Sequence, residues 1–348
     1  MAWIQTRRPG VYSTYTTVPL YTNLNSTAAA GVVAQGAQAV EGVLEISSSA
    51  SLQEQLPQES TLRTMVQLLL QAGVGKVLAV SLAPEAALSQ YQEGFSRLQD
   101  RSDLQGIACD SSDLQVMQAL KEHVNTCSEH QKERLAFFGA AADQAASLAQ
   151  SLNSERCILV SPACAVTAQG PSHGGFSAAA ALGQVLTLQA ANNSLNGSVL
   201  TGISALEKPL TEEAVEQLLG AGVWCLEAMG SSVETIRGVT TRTRTGEVPD
   251  GTFLSVNTIL IIDQVMKTLR TMLQERLKGH GNNAVTQESV ASQVTVELGR
   301  MVEQGLLSSY QKPVVYVSDQ DSGILVVELA FAIAHVIDQI YITAQIQV

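Results

Sequence analysis

Between residues 60 and 230 the apolar positions follow two alternating rhythms. Residues 61–71 carry apolar side chains at helical spacing and run into Gly73 and Gly75, glycines suited to the end of a helix. Residues 76–82, KVLAVSL, form the short continuous apolar run expected of a buried strand. The alternation recurs as helix 113–124, strand 135–140, helix 143–152, strand 156–162, helix 175–191, helix 211–219 and strand 223–229. Elements in this order predict an α/β domain, a mainly parallel sheet with helices on both faces. Ahead of them, residues 28–46 read as small-residue strands and turns, and SSSASLQEQLPQES reads as a surface loop.

After Met229 the rhythm changes. Residues 233–243, VETIRGVTTRT, have strand character, and 246–251 form a turn-rich break. Two longer helices follow, 254–277 and 287–306, separated by the loop KGHGNN. Strands at 312–318 and 324–332 and the last residues complete an α+β unit. The division expected is an arm at 1–18, an α/β domain at 19–235 and a C-terminal α+β domain at 236–348, with a boundary near Ile236.

The two ends share one character. Ile340, Ile342, Ala344, Ile346 and Val348 alternate with Tyr341, Thr343, Gln345 and Gln347, the period of a strand with one face buried. Such a strand, 338–348, needs a neighbour, in this chain or in another. Residues 1–17 are rich in Thr and Tyr, with Val11 and Trp3 beside them, and all four types favour extended backbone. Pro9 confines Arg8 to extended geometry and, lacking an amide hydrogen, belongs at a sheet edge or bend. Unpaired strands of this kind are templates for association.

Charge adds an asymmetry. The net charge is −12, with 15% charged residues and a pI of about 4.9, which argues against a general nucleic-acid or anionic-membrane binder. Before Glu41 the only charged side chains are Arg7 and Arg8, whereas 237–278 gathers Arg237, Arg242, Arg244, Lys267, Arg270, Arg276 and Lys278. A solvated face explains that cluster; a contact code between copies or with a second protein is the functional alternative. The five cysteines form no CxxC pair, and several sit among apolar residues, so buried thiols in a reducing compartment are expected. No apolar run is long and uninterrupted enough for a bilayer span or a signal peptide, which points to synthesis in a cytoplasm.

Candidate chemistry is sparse. Gly73-Val-Gly-Lys76 continues with Val77 and follows a helix, so it is no phosphate loop. Gly174-Gly-Phe-Ser177 runs on into alanines and opens a helix rather than a nucleophile elbow. Ser161, His173 and an aspartate could form a triad only if the fold brings them together. His123, Cys127, Glu129 and His130 have metal-like composition without a second ligand pair at a recognised spacing. His280 and His335 stand alone. Neither a catalytic constellation, nor a metal site, nor a cofactor site emerges.

Four segments in order carry a family likeness. They are Arg8-Pro-Gly-Val-Tyr12, Arg237-Gly-Val-Thr-Thr241, Asp250-Gly-Thr-Phe-Leu-Ser-Val-Asn257 leading into a long helix, and Ile340-Tyr-Ile-Thr343. Together they resemble the tail sheath proteins of contractile phage tails and R-type bacteriocins, over both ends and most of 231–348; the middle agrees only in α/β character. The resemblance implies a structural subunit without enzymatic activity or cofactor. Such subunits form stacked hexameric rings, an open helical homo-oligomer around an inner tail tube, with baseplate and tail terminator proteins at its ends. They assemble in the host bacterial cytoplasm without membrane insertion or direct nucleic-acid contact. It also implies strand exchange. Trp3, Ile4, Arg8, Pro9, Val11 and Tyr12 of the arm and Ile340, Tyr341, Ile342 and Ile346 of the last strand would join neighbours. The charge asymmetry, rather than the resemblance, suggests Lys267, Arg270 or Arg276 on the long helix as contacts to an acidic tube or sheath partner. The alternative from another class is an α/β hydrolase-like enzyme with a C-terminal oligomerisation unit.

Overall fold

The first described strand, β1 (Ala29–Gln35), is AAGVVAQ and is buried on both faces, as small and β-branched residues allow at the centre of a doubly covered sheet. The computed structural model describes residues 28–277, 284–319 and 324–337. From β1 the chain continues through β2 (Leu44–Ile46), α1 (Ser49–Gln55), α2 (Thr61–Gln71), β3 (Val77–Leu82), α3 (Leu88–Ser96), β4 (Leu104–Cys109), α4 (Leu114–Glu129) and β5 (Leu135–Gly139). It goes on through α5 (Ala142–Leu152), β6 (Cys157–Ser161), β7 (Cys164–Ala165), α6 (Gly174–Leu186), β8 (Ala205–Leu206), α7 (Glu212–Gly220), β9 (Trp224–Met229) and β10 (Ser232–Thr235).

Eight of these strands form one sheet in the order β10-β9-β6-β5-β4-β1-β3-β2. The six inner strands are parallel, and β2 and β10 close the two edges antiparallel. One face is covered by α2 and α6, through Met65, Leu69, Phe176 and Leu182. The other is covered by α3, α4, α5 and α7, through Phe95, Met117, Leu152 and Leu218. This is the doubly covered sheet that the alternation predicts.

Local chemistry sets the element ends. The Ser60 hydroxyl accepts from the Arg63 amide at 3.2 Å and caps α2, whose Leu62, Met65, Val66 and Leu69 are buried along one stripe. Gly73, at φ 98°, ends it, with its amide donating to the Leu70 carbonyl at 3.1 Å. Helix α6, GGFSAAAALGQVL, is buried almost all round because its small side chains let it settle onto β4, β5 and α2.

Several expectations need correction. The predicted loop over 47–60 contains α1, capped by Ser48, with Leu52 buried against the core. Helix α3 and strand β4 were not anticipated, although β4 lies at the centre of the sheet. Its sequence, LQGIAC, has a glutamine and a glycine in place of the expected apolar run. Helix α6 stops at Leu186, five residues short of expectation. Strand character at 233–243 is realised only in β10; beyond it the chain runs against the body through single bonds, such as Thr241 N to Cys157 O at 2.9 Å. The single strand expected over 324–332 is two strands with different partners.

The C-terminal part begins with a small hairpin, β11 (Arg244–Thr245) with β12 (Val248–Pro249), and then α8 (Val256–Leu277). Val256 and Ile259 of α8 belong to the core of the α/β sheet, whereas Ile261, Val265 and Leu269 belong to a separate core. There they meet Val290, Val294, Leu298 and Met301 of α9 (Ala284–Glu303). Four short strands follow: β13 (Leu307–Tyr310), β14 (Val314–Val317), β15 (Leu325–Glu328) and β16 (Phe331–Ile333).

Candidate assembly surface

Strand β13 pairs antiparallel with β16, and β14 with β15. Among the described residues each of these strands has one partner only, so each pair offers two open edges. A two-stranded ribbon is marginal in water by itself. These two persist because their inner faces rest on the C-terminal core: Val315, Leu325 and Val327 from one ribbon, Tyr310, Phe331 and Ile333 from the other. The outer face of the β14–β15 ribbon exposes Val314 at 55% and Tyr316 at 40%, and Ile324 just before β15 is 49% exposed. Tyr316 Oη donates to Glu328 Oε1 at 2.7 Å, which fixes the ring across the ribbon.

A groove of about 680 Å³ lies along β16 and the chain that leaves it. Its walls include Phe331, Ile333 and Val336 on one side and Ile261 and Ile262 of α8 on the other, with Arg237 at its margin. The described chain ends just beyond, at Ile337, which is 73% exposed. A surface with open strand edges, apolar walls and exposed β-branched and aromatic side chains is suited to accepting extended backbone.

The motif residues 237–257 build the junction beneath this surface. Thr241 Oγ1 donates to the Ser154 carbonyl and accepts from the Ser154 amide, both at 3.0 Å, and Thr240 Oγ1 donates to the Phe253 carbonyl at 2.7 Å. Hydrogen bonds from Thr245 and Thr252 hold the Asp250 carboxyl down at about 2. Asn257 Nδ2 donates to the carbonyls of Ala191 at 2.6 Å and Asn193 at 2.8 Å. Two crossed ion pairs then tie α8 to the body. Arg156 of the body reaches Asp263 with two contacts at 2.8 Å, and Arg270 of α8 reaches Glu133 of the body.

The ten arm and end-strand candidates, Trp3, Ile4, Arg8, Pro9, Val11, Tyr12, Ile340, Tyr341, Ile342 and Ile346, lie outside the described residues. Lys267 is exposed on α8 at the rim of a second cleft. Arg270 faces inward to Glu133, and Arg276 lies in α8 with its side chain outside the described set. Sequence reasoning missed the ribbons' exposed Val314, Tyr316 and Ile324. Val314, Tyr316, Val326 and Glu328 share one face by strand alternation, a signal readable once the 324–332 segment is split.

The residues weighed for chemistry are arranged structurally. Asp110, at the end of β4, accepts from Tyr91 Oη at 2.8 Å and from the Gln35 amide at 2.9 Å; burial raises its carboxyl and the Tyr91 phenol. His173 caps α6, its Nδ1 accepting from the Gly175 amide at 2.9 Å, and burial lowers its imidazole. These groups surround the ends of β1 and β4, where the strand order reverses and where open α/β sheets bind ligands. Here the start of α6 sits on that edge: a Cβ on Gly175 would lie 3.1 Å from the Asp110 Cα. His123, lowered to about 4 by burial and by Arg134, faces that guanidinium at 3.4 Å. Among the described residues no group of three His, Cys, Asp or Glu is placed to hold a metal, and no helix is long and apolar enough to cross a membrane. All five cysteines are buried free thiols.

Residues 248–347 match the family described as the phage tail sheath C-terminal domain. The match covers the C-terminal part of the chain, from β12 onward. The fold of the whole chain agrees. It is similar to the anti-feeding prophage helical sheath in its contracted state, with 14% identity and a TM-score of 0.73 over 98% of this chain and 99% of that one. It is similar to the PVC sheath complex of an extracellular contractile injection system, also contracted, with 15% identity and a TM-score of 0.71 over 99% of both chains. A sheath tail protein from Desulfitobacterium hafniense shares 10% identity and a TM-score of 0.68 over 93% of this chain and 100% of that one. No curated protein sequence matches at a significant level. The ribbons lie within the matched stretch 248–347, and the groove and the motif junction lie within or beside it.

Proposed function

We propose that this chain is the structural subunit of a contractile sheath that polymerises as stacked hexameric rings around an inner tube and contracts to drive the tube through a target cell envelope. The observation that carries this reading is the pair of open two-stranded ribbons in the sheath C-terminal domain, in a chain whose two ends both have strand-forming sequences. Neighbouring copies complete the ribbons with an N-terminal arm, through Trp3, Ile4, Val11 and Tyr12, and a C-terminal strand, through Ile340, Ile342 and Ile346. Pro9 marks the bend or edge of the donated arm.

An added strand making about five backbone hydrogen bonds, each worth on the order of 1 kcal/mol net, gains further from apolar side chains at about 0.8 kcal/mol per buried methylene. Several such links per copy add avidity. The links hold while softer globular contacts are exchanged during contraction. Because the Arg270 side chain is already engaged by Glu133, contact with an acidic tube falls to Lys267 and Arg276. Baseplate and terminator proteins cap the polymer, and assembly takes place in the bacterial cytoplasm that makes it.

The test is negative-stain microscopy of the chain, alone and co-expressed with its genomic neighbours, with and without residues 1–14. Tubes or stacked rings that vanish with the arm are expected. Discrete particles indifferent to the deletion would overturn the reading and favour the hydrolase-like alternative.

A further inference from the structure

A second cleft, of about 520 Å³, separates the start of β4 and β5 and the end of α6 from α8 and α9. Its charged groups are largely satisfied within the chain. Asp263 is paired with Arg156, Glu133 with Arg270, Lys132 with Asp100 and Arg300 with Glu297, and the remaining Lys267 and Glu275 are of opposite sign. A charged ligand is therefore not what the cleft selects. What remains are neutral groups, Gln105, Gln189, Gln264 and Thr271, over apolar patches at Leu188 and Leu260.

The described chain begins beside one wall of this cleft. The Ala29 amide donates to the Asp103 carbonyl at 2.8 Å, and the neighbouring Ser102 is part of the cleft wall. Residues 19–27 come immediately before and read PLYTNLNST: no charge, three large apolar side chains, and five Thr, Asn or Ser side chains to meet the glutamines. Pro19 favours extended backbone. Nine residues extend to about 30 Å, against an inter-strand step of about 4.8 Å from β1 to β4, so length is no obstacle.

We infer that residues 19–27 dock in this cleft of their own subunit. An uncharged segment matches a wall whose charges are internally paired, and it is tethered through Ala29 beside the Ser102 wall, so it competes there at high effective concentration. Docking joins three parts at once, the body, α8 and α9. If the sheath reading holds, it also leaves only residues 1–18 to bridge to a neighbour, a span of about 60 Å when extended, and fixes the point from which the arm departs.

The experiment uses the full chain at a concentration where it is monomeric, carrying Tyr21→p-benzoylphenylalanine, with cross-links mapped by mass spectrometry. Intramolecular cross-links to 185–191 or 260–272 are expected, together with at least tenfold slower chymotryptic cleavage at Leu20, Tyr21 and Leu24 than in a chain with Leu188→Trp filling the cleft. Cross-links confined to the β16 groove or to other subunits would overturn the inference, even if the Leu188→Trp chain fails to fold. Tubes that depend on residues 1–14 while Tyr21 cross-links elsewhere would sink this docking alone. Cleft cross-links without tubes would sink the sheath reading alone.

Discussion

At the scale of single residues, the backbones of Gly139 and Gly174 approach so closely that neither leaves room for a Cβ. Gly139→Ala places a methyl group against a carbonyl that cannot move without shifting α6. The expected cost is about 1–3 kcal/mol, as for overpacked cores, read as a lower denaturant midpoint at unchanged slope. Asp103 gives a pH signature. Arg101 first, then Lys76, hold its carboxyl at about 2, well below the ordinary carboxylate value. The carboxyl is lowered by folding, so its contribution is present above the unfolded value near 3.9 and disappears as pH falls through 2. Asp103→Asn should cost about 1 kcal/mol at pH 7, a partly exposed pair being worth little more. The difference from the parent chain should close between pH 4 and 2 in urea titrations.

At the scale of elements, α8 decides how the two parts of the chain relate. Its first turn is buried in the sheet's core, its middle in the C-terminal core, and it exchanges ion pairs of opposite polarity with the body at Asp263 and Arg270. Both pairs are largely buried, so removing one partner leaves an uncompensated charge. Arg156→Glu and Asp263→Arg should each cost about 3 kcal/mol or more, whereas the two together recover a coupling of about 1–3 kcal/mol. A double-mutant cycle by chemical denaturation measures it, and additive losses would show that the pair does not tie the units. Helix α8 was legible in the sequence, and so was α2 with the glycines that end it. Helix α3 and strand β4 were not. In β4, Gln105 and Gly106 break the apolar run; Gly106 is there because α6 packs close, a Cβ at that position lying 2.5 Å from Leu182. A residue chosen for a distant partner carries no local strand signal.

At the scale of the whole molecule, the body and the C-terminal domain make different demands. The eight-stranded sheet has its helices and its antiparallel edges within the chain, whereas among the described residues the C-terminal ribbons keep open edges. Removal of residues 338–348 should therefore leave the far-ultraviolet spectrum and the main unfolding transition almost unchanged while abolishing tubes. Loss of folding on that truncation would mean that the last strand serves its own subunit instead. The candidate surface was legible only in part: alternation at 338–348 predicts a strand that needs a neighbour, in residues outside the described ones, and the surface beside it was not visible, because its apolar residues come from β16, α8 and the loop before it, far apart in sequence.

The sequence by itself determined the class of the body and the two-helix unit after it, because periodicity and glycine placement act over a few residues. Only the tertiary structure decided that the 324–332 run splits between two ribbons, that Arg270 turns inward, that Thr241, Asp250 and Asn257 form a junction, and that α6 covers the sheet edge where an α/β protein would hold a ligand. Each of those depends on which distant groups meet, and burial, ion pairing and close packing are properties of the meeting rather than of either segment.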